Sequence, residues 1–246
     1  MFNLARHELL RLFLSPLAWV ILALTQLLLA YLFLTHIDYF NSIQARIAAI
    51  PGAPGVTELI ATPLIGNAAI IILLVSPLLT MRAFAEERRN DTLPLLASAP
   101  LSMTQIVLGK YLGNLGFFLL LALLTLLMPA SLSVATTLDI YQLSASMLGL
   151  VLLIASFTAI GLYMSSLTRQ PAIAAVSSFA LLFLLWIIDW AGDSGEFSIL
   201  SWLSMLNHFE PMTQGQINTQ DLSFYLIVIT TFLLLTIRRL DRERLD

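Results

Sequence analysis

The chain contains no cysteine, so disulfides, thiolate metal sites and cysteine nucleophiles are excluded from its chemistry. Charge is nearly as scarce. Asp, Glu, Lys and Arg make up 11% of the residues, against roughly 25% in a soluble globular domain. The long apolar runs hold almost no ionisable group away from their ends, and Asp189, the nearest exception, falls at the outer end of one. An ion-driven carrier needs buried carboxylates or histidines near the bilayer midplane. An intramembrane protease or lipid-modifying enzyme needs a nucleophile or clustered His, Asp and Glu within its crossings. The runs offer neither set.

What is present is apolar: 59% of the residues are hydrophobic and the mean hydropathy is +0.89, the composition of an integral membrane protein. A helix needs about 20 apolar residues to cross a hydrocarbon core roughly 30 Å thick. Six runs qualify, near 17–37, 60–81, 105–130, 143–167, 172–190 and 222–238. They are continuous and lack period-two alternation, which favours helices over strands. The first run is longer than the apolar region of a secretory signal, and no small-x-small cleavage site follows closely. The expected fold is therefore all-α, with six transmembrane helices in one domain over 1–246.

Basic residues set the orientation. Arg6 and Arg11 precede the first run; Arg82, Arg88, Arg89 and Lys110 bracket the second connector; Arg169 lies in the fourth; Arg238, Arg239, Arg242 and Arg244 form the tail. Only Arg46 falls on the other side, with Asp38, Glu58, Asp139, Asp193, Glu196, Glu210 and Asp221. Both termini are expected in the cytoplasm.

Residues 2–14 read as an amphipathic helix, with Asn3, Arg6, His7 and Arg11 on one face and Phe2, Ala5, Leu9, Leu12 and Phe13 on the other. This suits an elbow (1–16) lying in the membrane interface with its basic face toward lipid headgroups. Ser15-Pro16 then turns the chain into the first crossing. The outer loop 38–58 holds Pro51, Gly52, Pro54 and Gly55; the outer connector 131–142 is short. In the last outer segment, 191–221, serines alternate with apolar residues, giving a short interfacial or re-entrant helix, with Trp190 and Trp202 at headgroup depth.

The cytoplasmic segment 82–104 is the most informative. AFAEERR continues the second helix to Arg89, and Asn90-Asp91-Thr92 breaks it. Asp91 or Thr92 caps a short new helix with Pro94 in its first turn and Leu93, Leu95 and Leu96 as its apolar face. Pro100 ends it, and Ser102-x-x-Gln105 forms a capping box for the third crossing. By its charges alone, Glu86, Glu87, Arg88 and Arg89 would be a solvated helix end. Leucines held outside the membrane beside mixed charge mark an interface instead.

Three other patterns dissolve on inspection. Gly192-Asp193-Ser194-Gly195 has the look of a serine-protease nucleophile, yet only His208 is near it, so it reads as a loop. Asn90-Asp91-Thr92 is formally a glycosylation sequon but faces the cytoplasm. Gly109-Lys110 lacks the rest of a phosphate-binding loop. Gln26, Asn67 and Ser156 are expected to make helix–helix hydrogen bonds.

With these residues in place, the chain resembles permeases of the type-2 ATP-binding-cassette (ABC) exporter superfamily, most of all the gliding-motility and nitrous-oxide-reductase-maturation branch. Arg6–Ala18 resembles that branch's elbow and entry to helix one. Glu87–Lys110 is similar to the family pattern of Glu-Arg-Arg, a small residue, Gly-Thr, leucines, a proline and Gly-Lys, except that Asp91 stands where glycine is usual. Ser165–Arg169 resembles the inner connector, and Phe209-Glu210 with Gly215, Ile217 and Asp221 the segment before helix six. The resemblance implies a non-catalytic permease subunit of an ABC transporter in a bacterial inner membrane. It implies two partners, a separate ABC ATPase that holds the ATP and Mg and a second permease subunit, identical or related; membrane lipids surround the chain and no nucleic acid is involved. It implies a coupling helix within Glu86–Pro100: Glu87 and Arg88, flanked by Glu86 and Arg89, for polar contacts to the ATPase, Leu95 and Leu96 for its groove, and Thr92 to hold the turn. The alternative is a membrane anchor or assembly component that uses the same ATPase for mechanical work. Substrate and path-lining residues are left open.

Overall fold

The computed structural model describes residues 2–47, 54–92, 102–134, 136–188 and 202–245. Among them every regular element is helical. Helix α1 (Phe2–Leu14) stops at Ser15, and Pro16, with no N–H to lose, opens α2 (Pro16–Ile47). At 32 residues α2 is about 48 Å long. It therefore continues past the point where an outer loop was expected to begin at residue 38. Residues 38–46 contain no glycine or proline to stop it.

A π-helical turn, Thr57–Ala61, leads into α3 (Thr62–Thr80), and α4 (Arg82–Arg89) follows after a single interruption at Met81. Helix α5 (Met103–Ser131) starts with the expected capping box: Gln105 N–H donates to Ser102 Oγ, and Ser102 N–H to Gln105 Oε1. It closes in a 3₁₀ turn, Leu132–Val134. Helix α6 (Ile140–Leu167) is capped by Asp139, whose carboxylate accepts from Tyr141 N–H at 2.9 Å and Gln142 N–H at 3.1 Å. Then come α7 (Pro171–Ile187), α8 (Met205–Thr213, capped by Ser204) and α9 (Thr219–Leu245).

Five helical stretches are long and apolar enough to cross a membrane: Pro16–Arg46, Thr57–Arg89, Met103–Val134, Ile140–Leu167 and Thr219–Glu243. The fifth expected crossing, 172–190, forms α7, an apolar helix of 17 residues; residues 189–190 lie outside the described set.

Helix α6 is the axis of the bundle. Some 78% of its apolar window is buried, against 22% for α2, and it packs on α3, α5, α7, α8 and α9. Leu64, Ile72, Phe117, Phe118, Leu150 and Phe157 meet around it to form the main core. Three polar residues of the crossings find the following partners. Gln26 donates to the Leu121 carbonyl (3.1 Å) and Asn67 meets His36 (3.1 Å), both across helices as expected. Ser156 differs: its hydroxyl turns back to the Leu152 carbonyl of its own helix, a bond open to any serine one turn on.

Candidate functional site

At one end of the bundle the expected contact residues Glu86, Glu87, Arg88 and Arg89 all sit on α4. Its inner face, Ala83, Phe84 and Ala85, is buried. The interruption at Met81 is held by one side chain. Ser165 Oγ, near the end of α6, accepts from the N–H groups of Phe84 (3.0 Å) and Ala85 (3.1 Å) and donates to the Met81 carbonyl (2.8 Å). The first turn of α4 is thus pinned to the central helix.

Its three other fastenings are ionic, each on a different helix. Glu86 receives Arg11 of α1 at 3.1 Å. Glu87 receives the Lys110 ammonium of α5 at 2.6 Å. Arg88 meets Glu243 of α9 at 2.5 Å, and Arg239 holds the other oxygen of Glu243 at 3.2 Å. Lys110, fully buried, also reaches Glu8 of α1 at 2.7 Å and lies 5.4 Å from the Phe84 ring centre. One ammonium therefore joins α1, α4 and α5. A buried charge is tolerable only when paired in this way, and removing one partner of such a group costs about 3–5 kcal/mol. Glu87 Oε2 and Arg88 Nε remain buried without a partner among the described residues.

The expected polar contacts therefore divide. Glu86, Glu87 and Arg88 have their described contacts inside the chain, whereas Arg89 is exposed and makes no ion pair among the described residues. Thr92 folds back on the end of α4. Its N–H reaches the Glu87 carbonyl at 2.9 Å and its hydroxyl donates to the same oxygen at 3.2 Å, while Asp91 N–H points to the Arg88 carbonyl at 3.4 Å. This pair of backbone bonds is a Schellman cap, which requires a left-handed residue at its centre. Asp91 fills that place with φ +52°. The position where the family pattern has glycine is thus the one whose backbone favours it. Leu95, Leu96 and Pro100, with the short helix expected around them, lie outside the described residues.

Helix α1 reaches this site because α5 carries no side chain at Gly109, Gly113 and Gly116, one stripe along its face. A Cβ added at Gly113 would fall 2.6 Å from Glu8 Cβ and 3.1 Å from the Ala5 carbonyl oxygen. The face of α1 turned to α5 is Leu4, Ala5, Glu8 and Leu9. Phe2, at the start of α1, is 77% exposed.

Glu8, Ser165 and Glu243 are the members that sequence reasoning missed. A signal existed for the first: Glu8 sits on the apolar side of α1, between Leu4 and Leu12, and the only lysine of the chain lies inside an apolar run. Each needs a partner, and each is the other's.

At the opposite end His208 is buried, with Nδ1 2.7 Å from Asp221 and Nε2 2.9 Å from the Trp202 carbonyl oxygen. Both ring nitrogens are engaged, which leaves none to activate a serine. Ser194 and the rest of that loop lie outside the described residues. The first half of the apolar stretch 197–206, on which a short helix was expected, falls outside the described residues; α8, which begins at its end, packs Phe209 and Met212 against Gly149 of α6.

A family model described as ABC-2 family transporter protein matches residues 2–245. Comparison with curated proteins finds no match.

Proposed function

The chain belongs to the ABC-2 transporter family, and from that membership we propose that it is the permease subunit of an ABC transporter, moving a substrate across a bacterial inner membrane on power from a separate ATPase. ATP and Mg are held by that ATPase. The motifs Arg6–Ala18 and Glu87–Lys110 favour the gliding-motility and nitrous-oxide-reductase-maturation branch. In this reading α7 completes six crossings, the basic end of the bundle and both termini face the cytoplasm, α1 lies in the interface, and a second permease subunit completes the pathway.

One observation carries the reading: Glu86, Glu87 and Arg88 on a single two-turn helix are tied to α1, α5 and α9, and Ser165 ties the same helix to α6. A push on the segment 82–104 is thereby delivered to four helices together, as rigid-body rocking requires. Arg89, Leu95 and Leu96 supply the outward contacts to the ATPase. Glu86, Glu87 and Arg88 serve as internal struts, and Thr92 and Pro100 bound the coupling segment. A second reading, a mechanical anchor for the same ATPase, draws on the close-packed apolar core around Phe117, Phe118 and Phe157.

The test is purification of the tagged chain from native membranes in mild detergent, with mass spectrometry and an ATPase assay. An ATPase subunit should copurify and be lost from Arg89→Glu. Lys110→Met should retain the subunit while ATP hydrolysis loses its dependence on the permease. A chain recovered alone, under conditions that preserve other membrane complexes, sinks the proposal.

A further inference from the structure

Beside the charge-linked site, a cavity of about 170 Å³ opens between α1 and the start of α4. Its lining brings Arg11, Arg82 and Glu86 together with Leu12, Leu78 and Leu79. The charges around it are not all in contact with a partner. Glu8 and Glu86, which also border it, are already answered by Lys110 and Arg11. Arg82 is exposed and has no ion pair or hydrogen bond among the described residues. One guanidinium of the cavity wall is therefore left without a carboxylate contact, beside Leu78 and Leu79. At the back, Asn114 is 4% exposed and donates to the Lys110 carbonyl, while its own carbonyl oxygen has no donor among the described residues.

We infer that this cavity binds the phosphodiester of a cytoplasmic-leaflet phospholipid, with Arg82 as its donor. A guanidinium is suited to a phosphate monoanion by charge and by its fork of N–H groups. The geometry separates a lipid from a soluble anion. Leu78 lies one helical turn before Arg82, about 6 Å along the axis, and is 42% exposed. That spacing carries a ligand from a charged head to the beginning of an acyl chain. The cavity also faces the amphipathic α1, whose exposed residues mix Arg6 and Arg11 with Leu10 and Leu14, the mixture suited to headgroup depth. A phosphate seated there borders the Arg11–Glu86 bridge, so lipid occupancy bears on how tightly α1 holds α4. The choice of leaflet rests on the orientation given under the proposed function, whereas the binding of a lipid does not depend on transport.

Native mass spectrometry of the full-length chain, purified in mild detergent and titrated with phosphatidylglycerol, tests it. The wild type should retain one lipid under activation that strips the rest. Arg82→Gln should lower that retained fraction about tenfold, the weight of one charge-assisted contact. Arg82→Lys should keep part of it, and Arg46→Gln, one charge removed from the other end, should keep all of it. Equal retention by Arg82→Gln overturns the inference, as does an equal loss in Arg46→Gln. Inorganic phosphate raising the melting temperature as much as the lipid does would assign a soluble anion instead and also overturn it. Independently of any variant, a phospholipid with a diazirine near the head of its acyl chain should label the peptide containing Leu78 and Leu79. Labelling spread evenly over the exposed faces of α2 and α9 contradicts the site.

Discussion

The two ends of the bundle are fastened by different chemistry. At the basic end, long charged side chains reach between helices: Lys110 to Glu8 and Glu87, Arg11 to Glu86, Arg88 to Glu243. At the other end short neutral groups converge on one carbonyl. The Thr213 oxygen accepts from Thr62 Oγ1 (3.3 Å), Gln142 Nε2 (3.2 Å) and Ser146 Oγ (3.2 Å), and Gln142 also donates to Thr62 (3.1 Å). A neutral hydrogen bond weakens steeply once its geometry is lost, whereas an ion pair on flexible side chains falls off gradually with separation. The first end therefore tolerates small displacements of the helices it joins, and the second holds them in register. This asymmetry suits the drive from the basic end that the proposed function invokes.

The largest expected effect follows from removing the centre of the ionic end. Lys110→Met strands Glu8 and Glu87 and should cost about 3–5 kcal/mol, read as a fall in melting temperature in detergent. Pairing it with Glu8→Gln and Glu87→Gln should recover much of the loss, because no buried carboxylate then lacks its cation. Next comes Gly113→Ala. The new methyl group meets the backbone of α1, so the helices must part at a cost of about 1–3 kcal/mol. Gly116→Ala, whose Cβ would meet only Leu9 at 3.4 Å, should be nearly silent in the same assay.

The comparison sharpens at Gln142→Ala. Loss of two neutral hydrogen bonds should cost about 1–2 kcal/mol and leave ATPase coupling intact. Uncoupling by Gln142→Ala at unchanged expression would show that the two ends do not differ as described. The smallest effect has the opposite sign. Asp91→Gly relieves a left-handed residue and should stabilise the cap by about 1 kcal/mol, seen as a small rise in melting temperature.

How much of this was legible in the sequence varies with range. Local signals read true where a few adjacent residues decide: Pro16 opening α2 and the Ser102–Gln105 box; the helix expected to run on through Arg89 reaches it only after the interruption at Met81. The fate of Glu87 and Arg88 was not readable. Their described partners are Lys110 and Glu243, the second 155 positions away, and charge pattern alone cannot distinguish a helix end that faces outward from one that folds inward. The approach of α1 to α5 was written in Gly109, Gly113 and Gly116 at spacings of four and three. Small residues at that spacing admit a neighbouring helix, but which helix they admit is a tertiary fact. Crossing lengths were read from hydropathy, which overran at α7 and underran at α2 because apolar runs and helices need not end together.

The central claim is that α4 moves with α1, α5 and α9 as one linked unit. A chain without cysteine allows labels to be placed singly, so the direct measurement is the spin-label distance between Asn3→Cys on α1 and Val176→Cys on α7, an exposed position on a helix that none of the described ion pairs reaches, in the complex with the proposed ATPase, with and without ATP. The account predicts a change in that distance on ATP binding, and its loss in Lys110→Met with the complex still assembled. A distance that does not respond to ATP, or a response that survives Lys110→Met, would contradict it.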